Sequence, residues 1–249
     1  QKTAKDLRAR HWKIQQDAGI QFIPSNDFSF YDHILDTIAL VGAVPARYQW
    51  NGGQVGLDTY FAMARGAQGQ GIDVSAMEMT KWFDTNYHYI VPEFKAGQTF
   101  KLSSSKIFDE YKEAKALGIQ TKPVVLGPVT FLHLGKAKDT AKPLGLLGNI
   151  LPVYEEIITK LAAEGAEWVQ LDEPALVLDL GAEEKEAFKK AYAKLGEVAK
   201  SKGIKIFLGT YFGDCRDNLE LALNAPVEAV HVDITRGPKQ LDAVLAKAP

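Results

Sequence analysis

The sequence contains a single cysteine, Cys215, so no disulfide can form within the chain. One thiol is also too few for a cysteine-based zinc site. Apolar stretches such as Pro123–Leu134 contain glycine and proline and fall short of the ~20 residues that span a bilayer. We therefore expect a cytoplasmic protein, in a reducing setting, that does not contact a membrane.

An excess of charge of one sign is lacking as well. The 29 basic and 31 acidic residues leave a formal net charge of −2, so nothing predicts a nucleic-acid partner. Dinucleotide-binding, P-loop, zinc-protease and serine-hydrolase motifs are all absent. We therefore expect no metal site in this chain.

What the sequence does contain is a repeated pattern of helix, glycine and strand. Amphipathic runs end four times in a glycine that suits the left-handed position after a helix, at Gly19, Gly118, Gly165 and Gly203. Six strands are predicted: Gln21–Ser25, Met77–Phe83, Lys122–Leu126, Trp168–Leu171, Ile204–Leu208 and Ala229–Asp233. Apolar strands that alternate with helices indicate a parallel sheet, either doubly wound or a (βα)8 barrel.

The residues that follow the strands favour the barrel. Each strand turns polar at its carboxyl end, as a barrel mouth requires. Six strands are two fewer than closure takes, and helices are predicted at both ends, over Thr3–Ala18 and Lys239–Ala248. We predict an α/β fold, a (βα)8 TIM-type barrel that is incomplete and lacks its first and last strands, with residues 1–249 as a single partial domain.

The segment Ala76–Phe94 mixes charged and aromatic residues in a way that plain core strands do not need. Lys81, Asn86 and His88 are candidate cleft residues, and the cation of Lys81 suits a carboxylate or phosphate on a ligand. The alternative is a lysine that extends to solvent or pairs with a neighbouring carboxylate.

Two carboxylates, Asp172 and Glu173, follow the strand Trp168–Leu171 and precede Pro174. At a barrel mouth they are candidates for acid–base chemistry or for binding an amine. The alternative, which we favour, is that they accept backbone N–H bonds and hold the loop.

Long segments of the chain resemble the N-terminal domain of cobalamin-independent methionine synthases. The matching segments are IPSNDFSFYD (23–32), DTYFAMARG (58–66), AMEMTKWFDTNYHYIVPEF (76–94), KPVVLGPVTFLHLGK (122–136), WVQLDEPALVLDL (168–180) and HVDITRG (231–237). They occur in order and cover essentially the whole chain.

The resemblance implies a parent enzyme, a monomer of two barrels, that transfers a methyl group from polyglutamylated 5-methyltetrahydrofolate to homocysteine. Zinc in the C-terminal barrel, which this chain lacks, would activate the homocysteine thiol. Lys81 would contact the folate's glutamate tail, whereas Asp172 and Glu173 would be structural. The chain alone would then bind no cofactor, supply no catalytic residue and be inactive.

Two alternatives are open. The domain could be purely a lid and scaffold for the C-terminal barrel, without direct contact to substrate. A barrel enzyme of the uroporphyrinogen decarboxylase type shares the architecture, but it would need its own complete barrel.

Overall fold

A computed structural model of the chain describes residues 2–69 and 73–247. The helices are α1 (Lys2–Asp17), α2 (His33–Leu40), α3 (Leu57–Arg65), α4 (Lys106–Ala116), α5 (Pro128–Leu134), α6 (Leu147–Ala163), α7 (Ala182–Lys202), α8 (Leu219–Leu223) and α9 (Gln240–Lys247). The strands are β1 (Pro24–Ser25), β2 (Met79–Lys81), β3 (His88–Ile90), β4 (Glu93–Phe94), β5 (Lys122–Leu126), β6 (Lys136–Ala137), β7 (Trp168–Asp172), β8 (Lys205–Gly209) and β9 (Ala229–His231). Both terminal helices were predicted, although Ala248, the predicted end of the second, lies outside the described residues.

Five strands form one parallel sheet in the order β1-β5-β7-β8-β9. The register places Leu126 beside Asp172, and Asp172 beside Gly209, so the carboxyl ends of β5, β7 and β8 are level. Helices follow the strands as in a (βα)8 barrel, but the edge strands β1 and β9 do not pair with each other in the part of the chain that the structure describes. The fold is the predicted α/β barrel type, with the barrel not closed.

The sixth predicted strand does not belong to this sheet. Of Met77–Phe83, residues 79–81 form β2, which pairs antiparallel with β3 in a separate two-stranded sheet. All three residues of β2 are exposed. A strand of a covered parallel sheet is buried on both faces, and a segment with Glu78 and Lys81 does not meet that condition. The prediction of a sixth barrel strand was therefore wrong.

The core lies between the parallel sheet and the helices that cover it. Tyr154 of α6 and Tyr192 of α7 are fully buried, and the Tyr154 hydroxyl donates to the Leu126 carbonyl at 2.7 Å. This contact fixes α6 against the end of β5 and helps to hold the carboxyl edge of the sheet in place. No helix within the described ranges is long and apolar enough to cross a membrane.

Candidate functional site

The hairpin formed by β2 and β3 stands beside the carboxyl ends of the sheet. Its register places Lys81 directly opposite His88, and both side chains are exposed. The turn is held by the Trp82 N–H, which donates to the Tyr87 carbonyl at 2.7 Å, and by the Thr85 hydroxyl, which donates to the Trp82 carbonyl at 2.6 Å. Lys81 and His88 are therefore neighbours on one surface of a locally fixed turn.

The other charged groups of the hairpin have partners. Glu78 pairs with Lys136 at 2.5 Å, and Asp84 pairs with Arg236 of the loop after β9. Lys81 makes no ion pair or side-chain hydrogen bond with any described residue. Its ammonium group is thus the cation of the hairpin that is available to an external anion.

A buried carboxylate attaches the hairpin to helix α2. Asp32 precedes α2 and accepts hydrogen bonds from the backbone N–H groups of Ile34 at 2.7 Å and Leu35 at 3.3 Å, which caps the helix. The same carboxylate accepts from the N–H of Ile90 in β3 at 3.1 Å. Burial raises the pKa of Asp32 to about 7, although these three donors oppose the shift. One side chain therefore sets the position of β3, and with it that of Lys81 across the hairpin.

Aromatic rings join the hairpin to helix α2 and to the segment that follows β8. Trp82 is 1% exposed, and its ring contacts His33 edge to face, with centroids 4.7 Å apart. Phe83 packs against Phe212, which follows β8, with ring centroids 5.5 Å apart. Both phenylalanines have left-handed backbones, with φ of 53° and 76°. Such strained conformations are concentrated at binding sites.

His33 makes the stability of this aromatic cluster depend on pH. Burial lowers the pKa of His33 from 6.5 to about 4, so the unfolded chain binds a proton on this residue before the folded chain does. We expect the stability of the wild type, relative to a His33→Phe variant, to be constant above pH 6.5 and to fall as the pH drops toward 4. Urea titrations of both proteins across this range measure the difference. An unchanged difference would show that the pKa of His33 is not lowered in the folded protein.

A cavity of about 580 Å³ lies next to the hairpin, at the carboxyl ends of β1, β5 and β7. Its wall includes the rings of His33, Trp82, Tyr87, Tyr211 and Phe212 together with the carboxylates of Asp36 and Asp172. This position at the strand ends is the one that ligands occupy in barrels.

Asp172, at the end of β7, is 9% exposed and faces this cavity. Its Oδ1 accepts from the Gln170 amide at 2.6 Å and its Oδ2 from the Tyr211 hydroxyl at 3.2 Å. Burial raises the pKa of Asp172 to about 6. Neither partner is charged, so the cost of burying this carboxylate is only partly offset.

Glu173 has a different role from its neighbour. It is fully buried and accepts from the N–H groups of Val129 at 3.1 Å and Thr130 at 2.7 Å, and from the Tyr192 hydroxyl at 3.3 Å. Burial raises the pKa of Glu173 to about 7. Gly127 leaves the space for this side chain, because a Cβ there would lie 2.2 Å from Glu173 Oε1. The carboxylate joins β7 to the start of α5, as the structural alternative predicted.

The structure separates the predicted site residues, all of which it describes. The cavity wall includes Asp172 but not Lys81, Asn86, His88 or Glu173. Asn86 and His88 are exposed on the hairpin, and His88 Nδ1 lies 2.9 Å from the Asn86 carbonyl. Their predicted place in a cleft wall is corrected to an open surface, because both side chains are exposed and neither lines the cavity. Glu173 lies in the interior, not in a cleft wall, and accepts backbone N–H bonds as the favoured alternative predicted.

Sequence reasoning missed Asp32, Asp36 and Lys106. The last two form an ion pair at 3.2 Å that lines the cavity, and they are 70 positions apart in the chain. A signal for Asp32 was available, since an aspartate directly before an apolar helical run is typical of an N-cap. No comparable local signal identifies the pair.

The comparison with known families covers the whole chain. Residues 1–249 match the family described as the cobalamin-independent synthase, N-terminal domain. A 5-methyltetrahydropteroyltriglutamate–homocysteine methyltransferase of Nitrobacter winogradskyi is 55% identical over 99% of this chain. The protein of that name from Xylella fastidiosa is 54% identical over the full chain. The chain spans only about a third of these relatives, 34% and 32% of their lengths.

A solved structure supports the fold. The B12-independent methionine synthase of a Shewanella species, in complex with selenomethionine, superposes with a TM-score of 0.58 at 14% identity, over 89% of this chain and 56% of that one. At that identity the similarity concerns the fold alone. The match of the family over residues 1–249 decides the assignment: the chain belongs to the cobalamin-independent synthase family, whose N-terminal domain it represents.

Proposed function

We propose that this chain is part of a methyltransferase that moves a methyl group from polyglutamylated 5-methyltetrahydrofolate to homocysteine, and that Lys81 binds the glutamate tail of the folate. The names of the relatives support the reaction. The observation that supports the role of Lys81 is its exposed ammonium group, which lacks a described partner on a hairpin whose carboxylates are paired.

The proposed contact between Lys81 and the tail is electrostatic. Each glutamate of the tail carries a carboxylate, and a hydrogen bond between charged groups contributes about 1.5–3 kcal/mol when the pair is shielded from water. An exposed pair contributes about 0.2–1 kcal/mol. The tail would lie on the hairpin surface, so we expect a contribution between these limits.

Kinetics of the full-length protein test the proposal. We expect Lys81→Ala to raise KM for the triglutamate substrate about 5- to 20-fold and to leave kcat unchanged. This rise corresponds to a loss of ~1–2 kcal/mol in binding free energy. The rise in KM should be smaller for the monoglutamate, because it has fewer carboxylates for Lys81 to bind. Lys190→Ala on the outer face of α7, where the lysine is also exposed, is the matched control and should leave both constants unchanged.

The alternative of a lid and scaffold predicts another result. If the domain only supports the rest of the protein, Lys81→Ala leaves KM unchanged at every tail length. A uniform rise in KM for both substrates would also argue against tail binding, because it would not depend on the number of carboxylates.

Zinc chemistry is proposed for the remainder of the protein. No group of three or more histidine, cysteine, aspartate or glutamate side chains placed to hold a metal occurs within residues 2–69 and 73–247. We therefore assign no step to a metal here.

The chain by itself should not make methionine. We expect residues 1–249, incubated with methyltetrahydrofolate triglutamate, homocysteine and zinc, to form no product above background. The full-length protein in the same assay is the positive control. Turnover by the chain alone would overturn the proposal that the thiol is activated elsewhere.

A further inference from the structure

The cavity beside the hairpin is a separate feature from the surface of Lys81. It is formed at the carboxyl ends of the strands, with the end of β5 (Val124, Val125 and Leu126) along one wall. Its volume of about 580 Å³ falls within the range of small-molecule sites. The proposed contact of Lys81 with a folate tail does not use this space.

Three carboxylates line the cavity, those of Asp27, Asp36 and Asp172. Asp27 is exposed to solvent, and the other two differ in how far they are already neutralised. Asp36 pairs with Lys106 at 3.2 Å and accepts from the hydroxyls of Ser29 at 2.8 Å and Tyr60 at 2.7 Å. Asp172 has no cation within ion-pair distance among the described residues and receives only two neutral hydrogen bonds. Each carboxylate oxygen has two lone pairs, so Asp172 retains acceptor capacity toward the cavity.

The position of Asp172 is built into the sheet. A Cβ on Gly209, its neighbour on β8, would lie 2.3 Å from Asp172 Oδ1. The glycine therefore leaves the space that the carboxylate occupies. Lys106 supplies the cation of the wall, and it is balanced by Asp36 and by Glu110, 3.3 Å away.

Aromatic rings provide the rest of the wall. His33 and Tyr87 are stacked, with centroids 5.7 Å apart, and Tyr211 and Phe212 meet edge to face at 4.9 Å. Both pairs line the cavity. Such rings suit a flat apolar group and attract an organic cation through their π-faces.

We propose that this cavity binds a small organic amine with a flat ring, whose ammonium group is held by Asp172 and whose ring contacts Tyr87, Tyr211 and Phe212. The inference does not depend on the proposed role of Lys81. An ammonium group at Asp172 would form the ion pair that this buried carboxylate lacks.

Tryptamine is a suitable probe, and indole-3-propionate, with the same ring and the opposite charge, is its control. We expect isothermal titration of the full-length protein to give a Kd for tryptamine near or below about 1 mM, which corresponds to a binding free energy of ~−4 kcal/mol. We expect indole-3-propionate to bind at least about 10-fold more weakly. Binding that is absent up to about 5 mM, or that favours the anion, would overturn the proposal.

Two variants locate the site. Asp172→Asn keeps the shape of the side chain and should weaken tryptamine binding about 10-fold or more. Because this residue is buried, Tyr87→Ala provides an independent test, since Tyr87 is 41% exposed and its removal should be tolerated. We expect it to weaken binding about 3- to 10-fold. Unchanged affinity in Tyr87→Ala and in any folded Asp172→Asn protein would contradict the site.

Discussion

Replacing Glu173 with alanine should lower the free energy of unfolding of this chain by about 3–5 kcal/mol. The reason is that its carboxylate satisfies two backbone N–H groups and one hydroxyl in the interior. Val129 and Thr130 are themselves almost fully buried, so water cannot replace the lost acceptor. Urea unfolding followed by circular dichroism measures the change.

The control for this variant is Glu186→Ala, which removes an exposed glutamate from α7. Surface changes of this kind shift stability by about 0.5 kcal/mol or less. If Glu173→Ala were equally mild, the carboxylate would not be what joins β7 to α5.

The second large effect is expected at Asp32. Asp32→Ala removes the cap of α2 and the acceptor for Ile90 N–H together, and we expect a loss of about 3 kcal/mol in the free energy of unfolding. Asp32→Asn can still cap the helix through its amide oxygen, so its loss should be smaller, about 1–2 kcal/mol. Asp58→Ala, at an exposed position in α3, is the control.

Asp32 also connects stability to the proposed function. If its carboxylate positions β3, hydrogen exchange of the Ile90 amide should become faster in both Asp32 variants, and KM for the triglutamate substrate should rise as it does in Lys81→Ala. If Asp32→Ala destabilised the protein but left both the exchange at Ile90 and KM unchanged, Asp32 would cap α2 without positioning the hairpin.

The apolar, largely buried strands of the sheet could be predicted from the sequence. Lys122–Leu126 was predicted with its observed bounds, and Trp168–Leu171 and Ile204–Leu208 were each within one residue at either end. These runs are apolar and follow a glycine that ends a helix, so local and tertiary preferences agree. Gln21–Ser25 was too long, since only Pro24–Ser25 pairs with β5 at this edge of the sheet.

The hairpin was not predictable by the same argument. Met77–Phe83 was predicted as a sixth strand of the barrel, whereas the exposed positions in β2 and the pairing with β3 follow from contacts that a single strand pattern does not contain. Charges on both Glu78 and Lys81 were a signal against a buried strand.

Asp172 and Glu173 are neighbours in the sequence, but their side chains lie on opposite sides of the chain. Successive side chains of an extended segment point in opposite directions, so one carboxylate lines the cavity and the other enters the interior. The direction of each depends on β5 and α5, whose positions relative to β7 are tertiary information. Sequence alone therefore identifies the pair but not the division of roles.

The most direct test of the account is a thermodynamic cycle of tail length against Lys81. Isothermal titration gives the Kd of the monoglutamate and triglutamate forms of methyltetrahydrofolate for the full-length wild type and for Lys81→Ala. We predict that the advantage of the triglutamate in the wild type falls by about 1–2 kcal/mol in the variant, because the added carboxylates have lost their cation. An equal advantage in both proteins would show that Lys81 does not bind the tail and would contradict the account.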